Sequence, residues 1–415
     1  MKKKILFIEE GLGIGGAEKS LLAILNLLDY SKYEVDLFLF RHNGEFMNML
    51  PKEVNLLKAS EDFSLFEQNK KVSPLSFFKK HNIKAAFYSS LYLINSGIYK
   101  VFLKKEHIKN KEYIGWNFLK NLFKPLEKEY DVAISFLEKK TIYFNVDKVK
   151  AKRRIGFVHI DYSKYPYNYK MDKKYFKEFN NIATVSNHCK EVLENIFPEY
   201  KEKFLVIKNM ILVNLIEKEA EERVNWKEEN NETIKIVTVG RLVNQKGIDN
   251  GIFVCKALID EGYKVRWYVV GKGKDKEKLE NLIKANNLEE NFILLGAKTN
   301  PYKYIKICDI YVQPSRFEGY GITIAEAKAL KKPIVATDIP EFREQIIDKK
   351  TGILCKDNDE LKNGIKLLIE NKNLRKKLSC NLKKENEASS ILEIKKLYEV
   401  IEGKNLENEK VKKYG

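Results

Sequence analysis

The chain has 415 residues, of which 44% are hydrophobic and 12% aromatic, and its 76 basic against 58 acidic side chains give a net charge of +18. That length exceeds what one hydrophobic core usually serves, and the apolar content excludes a globally disordered chain, so two domains are predicted. Five scattered cysteines (Cys189, Cys255, Cys308, Cys355, Cys380) form no C-x-x-C, which excludes a disulfide framework or cysteine zinc site and predicts reduced thiols in a cytoplasmic protein.

The start, "MKKKILFIEE", has an apolar run of only four residues ending in two glutamates, so it reads as a strand and not as a secretory signal. No stretch approaches the roughly 18 apolar residues that a spanning helix needs. "GLGIGGAEKS" follows and spells G-x-G-x-x-G with Gly11, Gly13 and Gly16, the form of a dinucleotide fingerprint. Such a site also requires an acid near the end of the second strand, where it binds a ribose hydroxyl. Here "EVDLFLF" runs into Phe40, Arg41 and His42, with Asp36 in mid-strand, so a nicotinamide or flavin site is disfavoured. Gly15 and Gly16, ahead of the helical pattern "AEKSLLAILNLL", permit close backbone approach and leave N–H groups for an anion.

Residues 69–125 form a basic, aromatic-rich and predominantly helical insert with 12 lysines and two acids, Glu106 and Glu112. Phe and Tyr anchors mixed with lysines suit an anionic membrane surface and acceptor shaping. The strands "DVAISFL", "RRIGFVHI", "NIATVSN" and "FLVIKNM" come next. Glu138 lies just past the first of them and His159 past the second beside Asp161, which makes His159 a candidate catalytic cleft residue and Glu138 and Asp161 candidates for the acceptor side. His188 falls near a helix start.

The acid-rich stretch 217–232 separates the halves. Beyond it, "TIKIVTVG", "KVRWYVVG", "NFILLGA", "DIYVQPS", "KPIVATD" and "TGILCK" alternate with amphipathic helical patterns, which predicts a parallel sheet covered on both faces. The expected architecture is α/β, with two Rossmann-like domains facing across a cleft. An N-terminal acceptor domain spans 1–210, a linker 211–232, a donor domain 233–388 and a C-terminal helix and tail 389–415. In "SILEIKKLYEVIEG", Ile391, Ile394, Leu397, Tyr398 and Ile401 share one face, which predicts a helix crossing back to the first domain.

The chemistry concentrates in two stretches of the second half. In "VGRLVNQKG", Arg241 and Lys246 follow a strand end, where a guanidinium fork and a mobile ammonium suit a pyrophosphate. In "PSRFEGYGITIAEAKA", Glu318 sits in a glycine-rich loop before the helix that carries Glu326. A carboxylate among such small apolar neighbours needs a donor partner such as a ribose diol. The only D-x-D, Asp357 to Asp359, is followed by Glu360 in capping-box spacing, so it predicts a helix start and not a metal site.

Together these stretches resemble the retaining glycosyltransferases of family four, which have the GT-B fold. The resemblance spans nearly the whole chain and is strongest from Lys235 to Cys355. It implies that Gly15 and Gly16 lie near the donor phosphates, that Arg241 and Lys246 bind the diphosphate, that Glu318 lies against the donor sugar, and that Glu326 holds the ribose. It further implies that Gly319, Tyr320, Gly321 and Ile322 touch sugar and phosphate through their backbone. Gly271, Gly273, Gly296 and Ala297 would line the base pocket, and His159 would be a cleft histidine. The sequence departs from the family pattern at Asn209, where the usual following proline is missing.

The implied reaction moves a sugar from a nucleoside-diphosphate sugar, with UDP favoured, to a glycan or lipid-linked saccharide during surface polysaccharide synthesis. It retains anomeric configuration, and neither metal nor cofactor is expected. Arg241, Lys246 and helix N-termini would stabilise the leaving diphosphate. No glycosidase-like carboxylate pair can be assigned, and the departing phosphate would deprotonate the acceptor. The expected location is cytoplasmic, peripheral at the inner membrane face. A nucleotide-sugar epimerase is the rival enzyme. A basic protein without catalytic activity is a weaker one, since no specific nucleic-acid motif accompanies the charge.

Overall fold

The computed structural model describes residues 1–58, 83–102, 113–118, 120–224, 232–382 and 389–404. Among them, two all-parallel sheets organise two units, one formed by Met1–Met210 with Glu393–Gly415 and the other by Ile211–Leu392.

The first unit carries β1 (Lys3–Glu9), β2 (Tyr33–Leu39), β3 (Asn55–Lys58), β4 (Glu129–Ser135), β5 (Lys150–Val158), β6 (Asn181–Thr184) and β7 (Phe204–Val206). Their order in the sheet is β3-β2-β1-β4-β5-β6-β7. The apolar run of β1 is covered on both faces, and Ile5, Leu6, Phe7 and Ile8 are fully buried. This is why the strand reads as continuous hydrophobics and not as an alternation. Each such side chain contributes about 1.5–3 kcal/mol on burial.

The second unit carries β8 (Ile234–Val239), β9 (Val265–Val270), β10 (Phe292–Gly296), β11 (Ile310–Gln313), β12 (Ile334–Thr337) and β13 (Ile353–Cys355), ordered β10-β9-β8-β11-β12-β13. Trp267 on β9 is fully buried, and its indole N–H donates to the Thr238 hydroxyl at 3.0 Å. In both sheets the strand order reverses beside the first strand of the unit, between β1 and β4 and between β8 and β11. Such switch points are where open α/β sheets bind ligands, beyond the carboxyl ends of the strands.

The helix Ser389–Glu402 is the last described helix, and from Glu393 onward it belongs to the first unit. Ile394, Leu397, Val400 and Ile401 are buried there. Tyr398 stacks on Tyr33, with ring centroids 5.6 Å apart, and its hydroxyl donates to the Leu27 carbonyl at 3.0 Å. Ile391 departs from the expected face. It is 52% exposed and precedes the part of the helix that belongs to the first unit, whereas Val400, outside the expected set, is buried.

Residues 211–224, read from sequence as linker, contain the helix Val213–Glu219, with Ile216 and Ala220 buried in the second unit. The 69–125 insert lies partly outside the described residues. Its described core is the helix Ile83–Phe102, with residues 113–118 also helical. Asp357 caps the helix Asn358–Glu370 by accepting the Glu360 N–H at 2.8 Å, while Glu360 accepts the Lys356 N–H at 2.9 Å. The D-x-D of Asp357 and Asp359 therefore stands at a helix start. Cys189, Cys255, Cys308 and Cys355 are buried free thiols, and Cys380 is exposed.

Candidate active site

In the second unit, the loops that leave β8 and β11 are joined at the switch point. After β8 the chain makes a tight turn, Asn244–Lys246, and enters the helix Ile248–Asp260 through Gly247 in the left-handed conformation at φ 62°. A Cβ there would meet the Pro314 carbonyl oxygen at 1.9 Å, so only glycine lets the two loops touch. The Arg316 N–H donates to the Gln245 carbonyl at 2.8 Å, and the Gln245 amide donates to the Phe317 carbonyl at 3.1 Å. The Arg316 guanidinium forks onto Asp249 with both bonds at 2.8 Å, a bidentate pair that fixes register as well as charge.

This seam brings Lys246 and Glu318 together. The ammonium donates to both carboxylate oxygens, at 2.6 and 2.7 Å. Glu318 is 4% exposed and also accepts from the Ser315 hydroxyl at 2.7 Å. Arg241 is exposed, with its guanidinium 3.5 Å from the Gln245 side-chain oxygen. The two cations that the resemblance assigns to a diphosphate thus share one loop but differ in state, Lys246 being held by Glu318 and Arg241 facing solvent.

Gly321, at φ 82°, opens the helix Ile322–Ala329, and a Cβ on it would lie 2.4 Å from the Phe342 ring. The helix begins beside Gly319 and Tyr320, so its first N–H groups open at the same loop as Glu318, an arrangement suited to an anion. One turn on, Glu326 is fully buried and accepts from the Tyr302 hydroxyl at 3.2 Å. Burial first, and the Glu326 charge second, push the Tyr302 phenol well above its ordinary range, so it remains a hydroxyl donor. Tyr302 begins a short helix after β10, 24 residues from its partner.

The glycines assigned to a base pocket act chiefly on the backbone. A Cβ on Gly271 would meet the Gly240 oxygen at 1.8 Å, and one on Gly273 the Leu242 oxygen at 2.2 Å. They let the β9 loop lie against the loop after β8, where the Leu242 N–H donates to the Lys272 carbonyl at 3.0 Å. Gly296 is left-handed at φ 74° with open space at its Cβ, and Ala297 beside it is half-buried.

In the first unit, the carboxylates of Glu10, Glu18 and Glu138 act on Glu9 at the end of β1. Glu9 ends β1 fully buried. Its Oε1 accepts the Glu10 N–H at 2.7 Å, and its Oε2 finds no hydrogen-bond partner among the described residues. Burial, and then the charge of Glu18, push its carboxyl well above the usual range, with Glu10 and Glu138 acting in the same direction. Glu138 accepts the His159 backbone N–H at 3.3 Å. Directly after it, Lys139 adopts φ 72°, a strained conformation held by its 2.5 Å contact to Asp172 and its position 3.5 Å over the Tyr167 ring.

The Glu18 carboxylate folds back over Gly15, where an added Cβ would lie 2.1 Å from its Oε2. The Glu18 carboxylate therefore stands beside Gly15, one of the two glycines expected near the donor phosphates. His159 lies against the Phe136 and Phe157 rings, at 4.8 and 5.7 Å. Burial pushes its pKa down to about 4. Asp161 is turned away to cap Tyr162–Lys164, accepting from the Ser163 N–H at 3.0 Å and hydroxyl at 2.6 Å, with the His188 ring nitrogen 3.5 Å away. Asp36 is likewise structural, accepting from Lys128 at 2.8 Å, Tyr130 at 2.7 Å and Asn55 at 2.9 Å.

The profile of the glycosyl transferases group 1 family matches residues 219–385, which contain the whole seam between the β8 and β11 loops. An uncharacterised glycosyltransferase of Methanocaldococcus jannaschii is 30% identical over 318 residues, 68% of this chain and 78% of that protein. The chain belongs to the group 1 glycosyl transferases. Two further glycosyltransferases of that archaeon match over 45% and 46% of their own lengths. Over 144 residues, this glycosyltransferase is 34% identical to the N-acetylgalactosamine-N,N'-diacetylbacillosaminyl-diphospho-undecaprenol 4-alpha-N-acetylgalactosaminyltransferase of Campylobacter jejuni, covering 34% of this chain and 39% of that one. Its fold is that of Anabaena HepE, whose structure in complex with UDP and glucose aligns with a TM-score of 0.67 at 15% identity, covering 97% of this chain and 100% of that one. This is the GT-B fold that the sequence motifs imply.

Sequence reading did not single out Glu9, Glu18, Gln313, Ser315 or Tyr302. For Glu9 a signal existed, since a glutamate that closes an otherwise apolar buried strand is an anomaly in itself.

Proposed function

We propose that this glycosyltransferase uses a UDP-sugar and transfers with retained anomeric configuration to a glycan or lipid-linked saccharide, without a metal. The observation that carries the reading is the seam at the second switch point, where Arg241, Lys246, Glu318 and the start of the Ile322–Ala329 helix converge and buried Glu326 follows one turn on. Arg241, Lys246 and the helix N–H groups would take the charge growing on the diphosphate as the sugar becomes cationic, with Glu318 beside the sugar and Glu326 on the ribose. The departing phosphate would receive the acceptor proton. HepE in complex with UDP and glucose supports the nucleotide, and the diphospho-undecaprenol enzyme supports the acceptor class.

The acceptor would sit at the first unit's switch point, where Glu138 and the ring of neutral His159 offer a polar and an aromatic surface. Peripheral attachment to anionic membrane at the cytoplasmic face has its own support. Ile83, Phe87 and Ile94 share one exposed face of the helix Ile83–Phe102, while Ala85, Ala86 and Ser89 are buried on another. Sedimentation with anionic vesicles tests it, and equal binding to neutral vesicles would remove it.

The deciding experiment for the donor is a thermal-shift panel with UDP, GDP, ADP and NAD on the wild type and Glu326→Ala. A ligand at 100 times its Kd adds about 2.7 kcal/mol. Stabilisation by UDP that disappears in Glu326→Ala is the expected result. A shift with NAD alone would overturn the reading.

A further inference from the structure

We propose that Glu318 is a built-in competitor for the donor's diphosphate, and that Gln313 and Ser315 are positioning residues that keep this competition breakable. The proposal rests on the nucleotide-sugar reading and adds a step to it, in which nucleotide binding exchanges one anionic partner of Lys246 for another.

Lys246 gives two of its three donors to the Glu318 oxygens, at 2.6 and 2.7 Å, and its side chain is only 12% exposed. An ammonium so engaged has one donor left, so a phosphate gains the full ammonium only by displacing the carboxylate. Arg241 on the same loop is exposed, so it is the cation that an arriving diphosphate meets first.

What restrains Glu318 is a buried chain of hydrogen bonds whose direction can be read. The Tyr311 hydroxyl donates to the Gln313 Oε1 at 2.8 Å, and the Thr323 hydroxyl donates to the same atom at 3.3 Å. That fixes the orientation of the amide, whose Nε2 then donates to the Ser315 Oγ at 2.9 Å. The Ser315 hydroxyl, having accepted, directs its own proton to the Glu318 Oε1 at 2.7 Å. Tyr311, Gln313, Ser315 and Glu318 are all buried. Every bond in the chain is polarised towards the carboxylate, which neutralises part of its charge and gives it a partner that does not leave. When the diphosphate takes Lys246, Glu318 is held in place by Ser315 beside the donor sugar, as a carboxylate whose counter-cation has gone. That is the state in which it best favours positive charge developing on the sugar.

The test is the affinity for UDP and for uridine, the latter lacking phosphate, measured by calorimetry and by NMR titration on folded protein. Glu318→Gln removes the competitor, so UDP binds about tenfold more tightly while uridine is unchanged. Ser315→Ala removes the restraint, so the carboxylate holds Lys246 harder and UDP binds several-fold more weakly. Opposite signs from neighbouring substitutions are not what general loosening of a loop produces. In Lys246→Ala, adding Glu318→Gln brings no further gain, because the pair act as one unit. If circular dichroism shows Glu318→Gln unfolded, Glu318→Asp replaces it, and its shorter reach gives an intermediate gain. UDP affinity equal to or below wild type in the folded carboxylate variant overturns the proposal. A wild type that binds neither UDP nor uridine overturns the nucleotide reading and this proposal with it, whereas normal UDP binding with no gain overturns this proposal alone.

Discussion

Gly247 and the carbonyl of Pro314 are so close that a single methyl group on Gly247 would stand 1.9 Å from the oxygen. The contact joins the loop after β8 to the loop after β11, and so ties the cations proposed for the diphosphate to the glutamate proposed for the donor sugar. Gly247→Ala must adopt a left-handed backbone at a cost of about 1–2 kcal/mol and must also push the loops apart. The expected outcome is a fall of several degrees in Tm and loss of stabilisation by UDP, read in one thermal-shift series. Retained UDP stabilisation would mean that the two loops need not touch for nucleotide binding.

Tyr302 donates to Glu326 from a different crossover of the sheet, and both residues are buried. Tyr302→Phe leaves the carboxylate in place without this donor, at an expected cost of about 1.5–3 kcal/mol for a hydrogen bond to a charged group. Urea denaturation measures it. UDP affinity should fall much less than in Glu326→Ala, since the ribose-directed oxygens remain. Equal losses in the two variants would make Tyr302 a direct nucleotide contact.

These two relationships mark where sequence reading succeeds and where it stops. The parallel strands were legible because burial on both faces demands runs such as "ILFI" and "IVTV". The loop of Arg241 and Lys246 and the loop of Glu318 were legible because glycines and charges stand at fixed offsets from strand ends. That Lys246 and Glu318 form an ion pair was not legible, since 72 residues separate them and only the adjacency of β8 and β11 brings them together. β3 went unread because its four residues, "NLLK", carry too little pattern. The anion cradle expected at Gly15 and Gly16 was spelled correctly as a helix start, but nothing in the spelling reveals that the Glu18 carboxylate returns over Gly15.

Glu9 yields a prediction with an unusual sign. Its carboxyl titrates well above the unfolded value of 4.5, so the native state binds more protons than the unfolded one between those two points. Its contribution to stability is therefore whole below about pH 4.5 and is lost as the pH rises through the folded value. Glu9→Gln replaces the neutral acid with a neutral amide of similar shape. The variant should match the wild type near pH 4 and exceed it at pH 8, in urea denaturation run at both values. A wild type whose advantage grows with pH relative to Glu9→Gln would show that Glu9 is ionised in the folded protein.

His159 gives the opposite slope. Burial against Phe136 and Phe157 holds its pKa down to about 4, against an ordinary value of 6.5. Below 6.5 the unfolded chain takes up a proton that the native ring refuses, so this stability is present above pH 6.5 and is lost as the pH falls towards 4. At neutral pH the ring is uncharged, so under the proposed function it would pack against a sugar or exchange hydrogen bonds and would supply no charge to the diphosphate. NMR titration of the His159 ring protons should show no protonation down to about pH 5. His159→Phe should keep the apolar packing and remove the acid sensitivity, while transfer at pH 7 falls only as far as a lost hydrogen bond allows, about tenfold. A ring that titrates near 6.5 would make His159 available as a charged group and its substitution far more costly to turnover than to stability.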